Sequence, residues 1–165
     1  MTAHVIPLIP AEPEADPPLR LMADLDSEGS VLGSLLNDHD GANWAAVSPL
    51  LRPEMFFAHA NQRVYEAIAA LHDAKKPTDA VSVAGVMRKR NTLHNSGGTA
   101  YVATILGLTQ PTTAHPQVFA AEVAELWRQR ALVACMERVA ALMLTGELSH
   151  DAARLELREH FRSCK

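Results

Sequence analysis

Eight histidines, two cysteines and many acids and hydroxyls supply this 165-residue chain with the groups used in metal, nucleophilic and acid-base chemistry. Spacing decides whether they can act together. His4, His39, His59, His72, His94, His115, His150 and His160 never stand four apart on a helix or beside a cysteine pair, the arrangements that hold a zinc ion. Cys135 and Cys164 form no CxxC. No Gly-x-Ser-x-Gly elbow presents a nucleophile, and no Gly-x-x-x-x-Gly-Lys-Ser/Thr loop cradles a nucleotide phosphate. No catalytic, cofactor-binding or metal-binding residue is therefore expected, and neither an enzyme nor a cofactor is expected. One basic run remains, Arg88, Lys89 and Arg90. It is a candidate phosphate contact, or else the solvated end of a helix whose dipole favours cations there. A net charge of -4 and a pI near 6.0 argue against a protein whose main work is gripping nucleic acid, so direct DNA contact is expected to be weak or absent.

These groups must be positioned by helices, because no strand pattern competes with the helical periodicity. Residues 1–24 hold Pro7, Pro10, Pro13, Pro17 and Pro18 among Glu12, Glu14 and Asp16, the composition of a flexible Pro-rich arm. A helical domain is expected over 25–163, with a head at about 25–110 and a hairpin at about 116–163. Asp26 or Ser27 is expected to cap a first helix presenting Val31, Leu32, Leu35 and Leu36 on one face. Asn43 would cap a short helix with Trp44 and Val47. Phe56 and Phe57 lead into a helix with Val64, Tyr65, Ile68 and Leu71 inward. After the break at Lys75, Lys76 and Pro77, Asp79 or Ser82 starts a helix burying Val83, Val86 and Met87. Asn91, Asn95, Gly97 and Gly98 mark a turn before a helix with Tyr101, Val102 and Ile105 inward.

A Thr- and Pro-containing loop over 107–116 precedes a helix of about 40 Å through Val123, Leu126, Trp127, Leu132, Val133 and Met136. Thr145 and Gly146 end it, and Ser149 caps a last helix to about Phe161. The fold class is all-α: a compact multi-helix head followed by an antiparallel helical hairpin. Leu126, Val133, Met136, Leu142, Met143 and Leu144 spread around more than one face of the long helix, so a second chain is expected to cover some of them. Leu126, Trp127, Arg130 and Met136 are the candidate self-association residues, with Arg128 and Glu137 at the rim. Trp127 and Phe119 serve equally well as partner anchors or as core packing. Absence of a cysteine framework, of an early basic segment and of any apolar run of 18 residues points to a reducing cytoplasm and no membrane.

Four ordered segments carry a resemblance. Asp26-Ser27-Glu28-Gly29-Ser30-Val31-Leu32-Gly33-Ser34-Leu35-Leu36 is followed by Phe56-Phe57 and Asn61-Gln62-Arg63-Val64-Tyr65-Glu66-Ala67-Ile68. Then come Pro77-Thr78-Asp79-Ala80-Val81-Ser82-Val83, Leu93 and Gly97-Gly98-Thr99-Ala100-Tyr101, and finally Val123-Ala124-Glu125-Leu126-Trp127-Arg128-Gln129-Arg130. Together they resemble the N-terminal domain of DnaB-type replicative helicases. Asn91 stands where that family often has Gly, and Val123 where it has Tyr, removing any contact made through that phenol. The resemblance implies a domain that lies ahead of an ATP-driven motor, pairs through its hairpins into a hexamer collar, and offers surfaces to primase and loader proteins. The implied function is a non-catalytic interaction module of DNA replication, a homo-oligomer whose partners are the replicative helicase, primase or loader. Two alternatives stand beside it: a separate subunit or truncated piece of a helicase whose motor is supplied in trans, and an all-α DNA-binding regulator. The chain stops at Lys165, where the resemblance would place the motor, which fits either a motorless protein or a fragment.

Overall fold

The computed structural model describes residues 22–108 and 115–163. The expected Pro-rich arm lies outside them apart from its last three residues, as do most of the expected 107–116 loop and Cys164. Every regular element among the described residues is helical: α1 Leu25–Leu36, α2 Ala42–Val47, α3 His59–Asp73, α4 Ala80–Lys89, α5 Gly98–Leu108, α6 Pro116–Leu144 and α7 His150–Ser163, with single 3-10 turns at Pro53–Met55 and His94–Ser96. The all-α class follows, and two apolar clusters divide the work of holding it together.

The larger cluster is the head. Val31, Leu32, Leu35 and Leu36 of α1 are all within 3% of full burial, and they meet Val64, Tyr65, Ile68 and Leu71 of α3, Val83 and Met87 of α4, and Tyr101, Val102 and Ile105 of α5. The first part of α6 closes it with Ala120, Val123 and Ala124. Small residues there let α6 lie close on α1 and α2. The second cluster is much smaller. Cys135 and Val139 of α6 pack on Ala153 of α7, with Leu148 and Leu157 partly buried beside them.

Helix starts differ in detail from the sequence reading. The cap of α1 is Asp24, whose Oδ1 accepts from the N–H groups of Asp26 and Ser27 at 3.0 Å each. The donors left open by a helix lie in its first turn, so the acceptor must sit before that turn, and Asp26 and Ser27 already belong to it. Asn43 does not cap α2 either. Gly41 precedes the helix in a left-handed conformation, while the Asp38 carboxylate accepts from Asn43 N–H and Trp44 N–H and Asp40 accepts from Ala42 N–H. Asn43 instead donates its side-chain amide to the Ser34 carbonyl at 3.0 Å, tying α2 to α1. Asp79 caps α4, accepting from Val81 and Ser82 N–H at 2.9 Å each. Gly97 and Gly98, at φ 82° and 72°, supply the left-handed turn that enters α5, and Asn91 at φ 56° occupies a left-handed position as well.

Candidate interaction surface

Helix α6 has 29 residues, about 43 Å at ~1.5 Å per residue, and so outruns the head that its first half packs against. Pro116 at its first turn needs no N–H partner there, and apolar residues distributed round its circumference suit a helix with neighbours on several sides. Its second half has α7 as its mate. Thr145 and Gly146 turn the chain: Gly146 lies at φ 75°, its N–H donates to the Met143 carbonyl at 3.2 Å, and Glu147 N–H donates to the Leu142 carbonyl at 2.9 Å. This closes the end of α6 in a Schellman arrangement. Ser149 then accepts from Ala152 N–H through Oγ and starts α7.

The four candidate pairing residues fall into different settings. Arg130 is turned into the head. Its guanidinium donates to the carbonyls of Met22 at 2.6 Å and Met55 at 2.7 Å and lies over the Phe57 ring at 5.5 Å. Burial lowers its pKa and the charge of Glu28 acts to raise it. Trp127 is half-buried against the head cluster, with the Arg52 guanidinium 5.6 Å from its ring centroid. Leu126 is half-buried, and Met136 is 45% exposed. Arg130 and Trp127 thus join α6 to the head, and Met136 begins the open part of the hairpin. Arg128 forms an ion pair with Glu125 at 2.8 Å on the helix surface.

Beyond Arg130 the hairpin presents large apolar side chains to solvent: Met136 and Met143 at 45% and 43%, Leu144 at 89%, Leu155 at 55% and Phe161 at 57%. Leu142 is half-buried. One or two exposed leucines are ordinary on a protein surface; here five large apolar residues are exposed on the two helices of one projection.

Sequence reasoning did not single out the polar network beneath this joint. Glu28 of α1 is 2% exposed, and its carboxylate accepts from Phe57 N–H, from Ala58 N–H at 3.3 Å and from the Asn61 amide at 2.8 Å. Asn61 in turn accepts from the Tyr101 hydroxyl at 2.6 Å. Glu28 therefore fixes the backbone at Phe57 and Ala58 just ahead of α3, whose first turn has no side-chain cap of its own. Burial holds its pKa above the ordinary 4.5, against the lowering effect of the Asn61, Phe57 and Ala58 hydrogen bonds and the Arg130 charge. The signal available in the sequence was that Ala58, a poor cap, stands before a strongly periodic helix. Nothing local, however, points to a residue thirty positions away.

Arg88, Lys89 and Arg90 lie at the C-terminal end of α4 and are exposed. Arg90 reaches the Glu66 carbonyl at 3.5 Å, while Arg88 lines an open cavity of about 440 Å³ with Asn91, Leu93, His94, Gly98 and Thr99. Among the described residues no group of three or more His, Cys, Asp or Glu is placed to hold a metal ion, and no helix is long and apolar enough to cross a membrane. His72 is stacked on Trp44, with ring centroids 4.5 Å apart.

Residues 20–125 match the family described as the DnaB-like helicase N terminal domain. The chain belongs to that family. The replicative DNA helicase DnaB of Mycobacterium leprae is 37% identical over 132 residues, which is 80% of this chain and 21% of the relative. The replicative DNA helicase DnaC of Bacillus subtilis is 28% identical over 62% of this chain and 22% of its own length. The chain thus spans about a fifth of the length of these relatives. The crystal structure of the N-terminal domain of DnaB helicase from Mycobacterium tuberculosis superposes with a TM-score of 0.77 at 32% identity, covering 87% of this chain and 98% of that one. What is matched is the DnaB N-terminal domain, a part of the helicase other than its motor. The family match ends at residue 125, ahead of Leu126, Trp127, Arg130 and Met136, whereas the structural likeness extends over most of the chain.

Proposed function

We propose that this DnaB-like domain is a non-catalytic interaction module of DNA replication that self-associates through its hairpin and engages a helicase collar, primase or loader. The observation that carries this reading is the projection of α6 and α7 beyond the head with Met136, Met143, Leu144, Leu155 and Phe161 open to solvent. A two-helix projection held by a core as small as Cys135, Val139 and Ala153 gains stability by burying that face against another helix. Leu126 and Met136 belong to the contact in this reading, and Arg130 and Trp127 set the angle at which the hairpin is offered. The replicative helicase, primase or loader is the proposed partner because the relatives are replicative helicases.

A second reading, a subunit or piece that works with a motor supplied in trans, is favoured by the length of the relatives, of which this chain spans about a fifth. Phosphate contact through Arg88, Lys89 and Arg90 is a third, weakened by the net charge of -4. Light scattering of the purified protein, alone and mixed with the replicative helicase of the same cell, tests the first. A defined oligomer that moves into a larger complex is expected, and Leu144→Asp with Phe161→Asp reduces the oligomer to monomer while preserving the helical circular dichroism. A wild-type monomer at all concentrations, with no shift on mixing, overturns hairpin pairing. Retention on DNA that falls steeply with salt would favour the phosphate reading instead.

A further inference from the structure

Helix α6 meets the head at two levels. Ala120, Val123 and Ala124 lie in the head cluster, a contact made largely by small side chains. One turn further on, Trp127 and Arg130 meet the irregular segment of residues 51–58. The Arg52 guanidinium lies over the Trp127 ring, and Arg130 reaches the Met55 carbonyl and the Phe57 ring. The next cluster along α6 begins at Cys135 and is shared with α7 rather than with the head. Small side chains interdigitate little, so the contact at 120–124 acts as a pivot, and the restraint on the tilt of α6 falls to Trp127 and Arg130. From residue 122, Arg130 is about 12 Å along the helix and Leu144 about 33 Å, so a displacement at Arg130 is nearly tripled at the end of α6.

Whatever holds the segment therefore holds the hairpin. Residues 51–58 contain one 3-10 turn, and their remaining backbone groups need side-chain partners. The Tyr65 hydroxyl donates to the Leu51 carbonyl at 3.1 Å and the Gln62 amide to the Phe56 carbonyl at 2.7 Å. Arg130 donates to the Met55 carbonyl at 2.7 Å. At the other end of the segment the Glu28 carboxylate accepts from Phe57 N–H at 2.5 Å and from Ala58 N–H at 3.3 Å. Glu28 and Arg130 thus grip neighbouring peptide groups from two different helices. Among the described residues no ion pair joins them directly.

We infer that residues 55–58 are a joint through which Glu28, a positioning residue on α1 with no hydrogen bond to α6, fixes the direction of the hairpin together with Arg130. Coupling of this kind runs both ways. Loosening Arg130 loosens the Phe57 and Ala58 N–H groups, and loosening Glu28 lets the hairpin swing. The bearing of the joint on pairing rests on the self-association proposed above: hairpins held at one angle pair in one geometry, and swinging hairpins pair in several.

Residual dipolar couplings and amide exchange of the full-length, ¹⁵N-labelled protein test the joint, with Leu144→Asp and Phe161→Asp as the parent so that hairpins stay apart. In the parent, α3 and α7 are expected to share one alignment. Glu28→Gln lowers the α7 couplings relative to those of α3 with no loss of helical circular dichroism. Arg130→Met does the same and makes the Phe57 and Ala58 amides exchange about ten times faster, while Val64 and Ile68 in α3 keep their protection. Arg130→Lys, which keeps a donor for one carbonyl, gives intermediate values of both. Separate alignment of α3 and α7 in the parent, unchanged α7 couplings in Glu28→Gln, or unchanged Phe57 and Ala58 exchange in Arg130→Met overturns the inference. If Arg130→Met loses its α3 protection, Arg130→Lys decides by the same two readouts. A wild-type chain that stays monomeric in light scattering removes hairpin pairing, and the joint is still judged by these couplings and exchange rates.

Discussion

Glu28 shows how much one side chain settles here. It leaves α1 within reach of the Arg130 charge and satisfies the backbone donors of Phe57 and Ala58, just ahead of α3, together with the Asn61 amide. Glu28→Ala leaves three donors, two of them buried, without an acceptor and is expected to destabilise the domain by about 3 kcal/mol, read as a lower urea midpoint at unchanged slope. An unchanged midpoint would show that these bonds do not hold the entry to α3. The same residue has a pH signature. Because burial holds its folded pKa above 4.5, the folded chain binds this proton more tightly than the unfolded chain does. Its contribution is present in full below about 4.5 and is lost as pH rises through the raised folded value. Wild type should therefore lose melting temperature relative to Glu28→Gln, which cannot titrate, as pH rises from about 4.5 through the raised folded value. A pH-independent difference would contradict this. Asp24 and Asp79 act in a separate window. Their folded pKa values lie below 3.8, held down by the hydrogen bonds they accept at the starts of α1 and α4, so their contribution is lost only as pH falls through those lowered values.

At the scale of elements, faces were legible and ends were less so. Val31, Leu32, Leu35 and Leu36, then Val64, Tyr65, Ile68 and Leu71, point inward as their spacing requires, because an amphipathic helix has one way to bury its stripe. Caps depend on atoms rather than on stripes. Asp24 serves α1 where Asp26 and Ser27 were expected, and Asp38 and Asp40 serve α2 where Asn43 was expected. Several neighbouring residues could have filled each role, and only the path of the backbone selects one. The α6 to α7 turn was readable because Gly146 has few substitutes at φ 75°. A Cβ added there meets nothing within 4 Å, so the cost of Gly146→Ala is conformational rather than steric crowding. It should lower stability by about 1 kcal/mol and leave the fold unchanged, checked by thermal unfolding and circular dichroism. A stabilising effect would show that the left-handed turn is not kept in solution.

The whole molecule has one large core and one small one, and its stability should be correspondingly uneven. Amides of α3, packed among Val31, Leu32, Val83 and Ile105, are expected to exchange with solvent only on global unfolding. Amides of α7, held chiefly by Cys135, Val139 and Ala153, should exchange at least ten times faster in the isolated monomer and slow when a partner covers the hairpin. Equal protection of α3 and α7 in the monomer would refute a weakly held hairpin. The amino-acid sequence by itself determined the helical class, the inward stripes, the turns at Gly97, Gly98 and Gly146, and the family, because these rest on local periodicity, on backbone conformations that few residues adopt, and on ordered motifs. Only the tertiary structure decided that Glu28 holds the backbone of Phe57 and Ala58 ahead of α3 and that Arg130, a candidate for binding another chain, grips the Met22 and Met55 carbonyls of its own. It also decided which of the apolar residues of α6 remain open. Helical phase tells which side chains share a face, but whether that face meets the head, α7 or solvent depends on contacts between residues far apart in the chain, which local spacing does not encode.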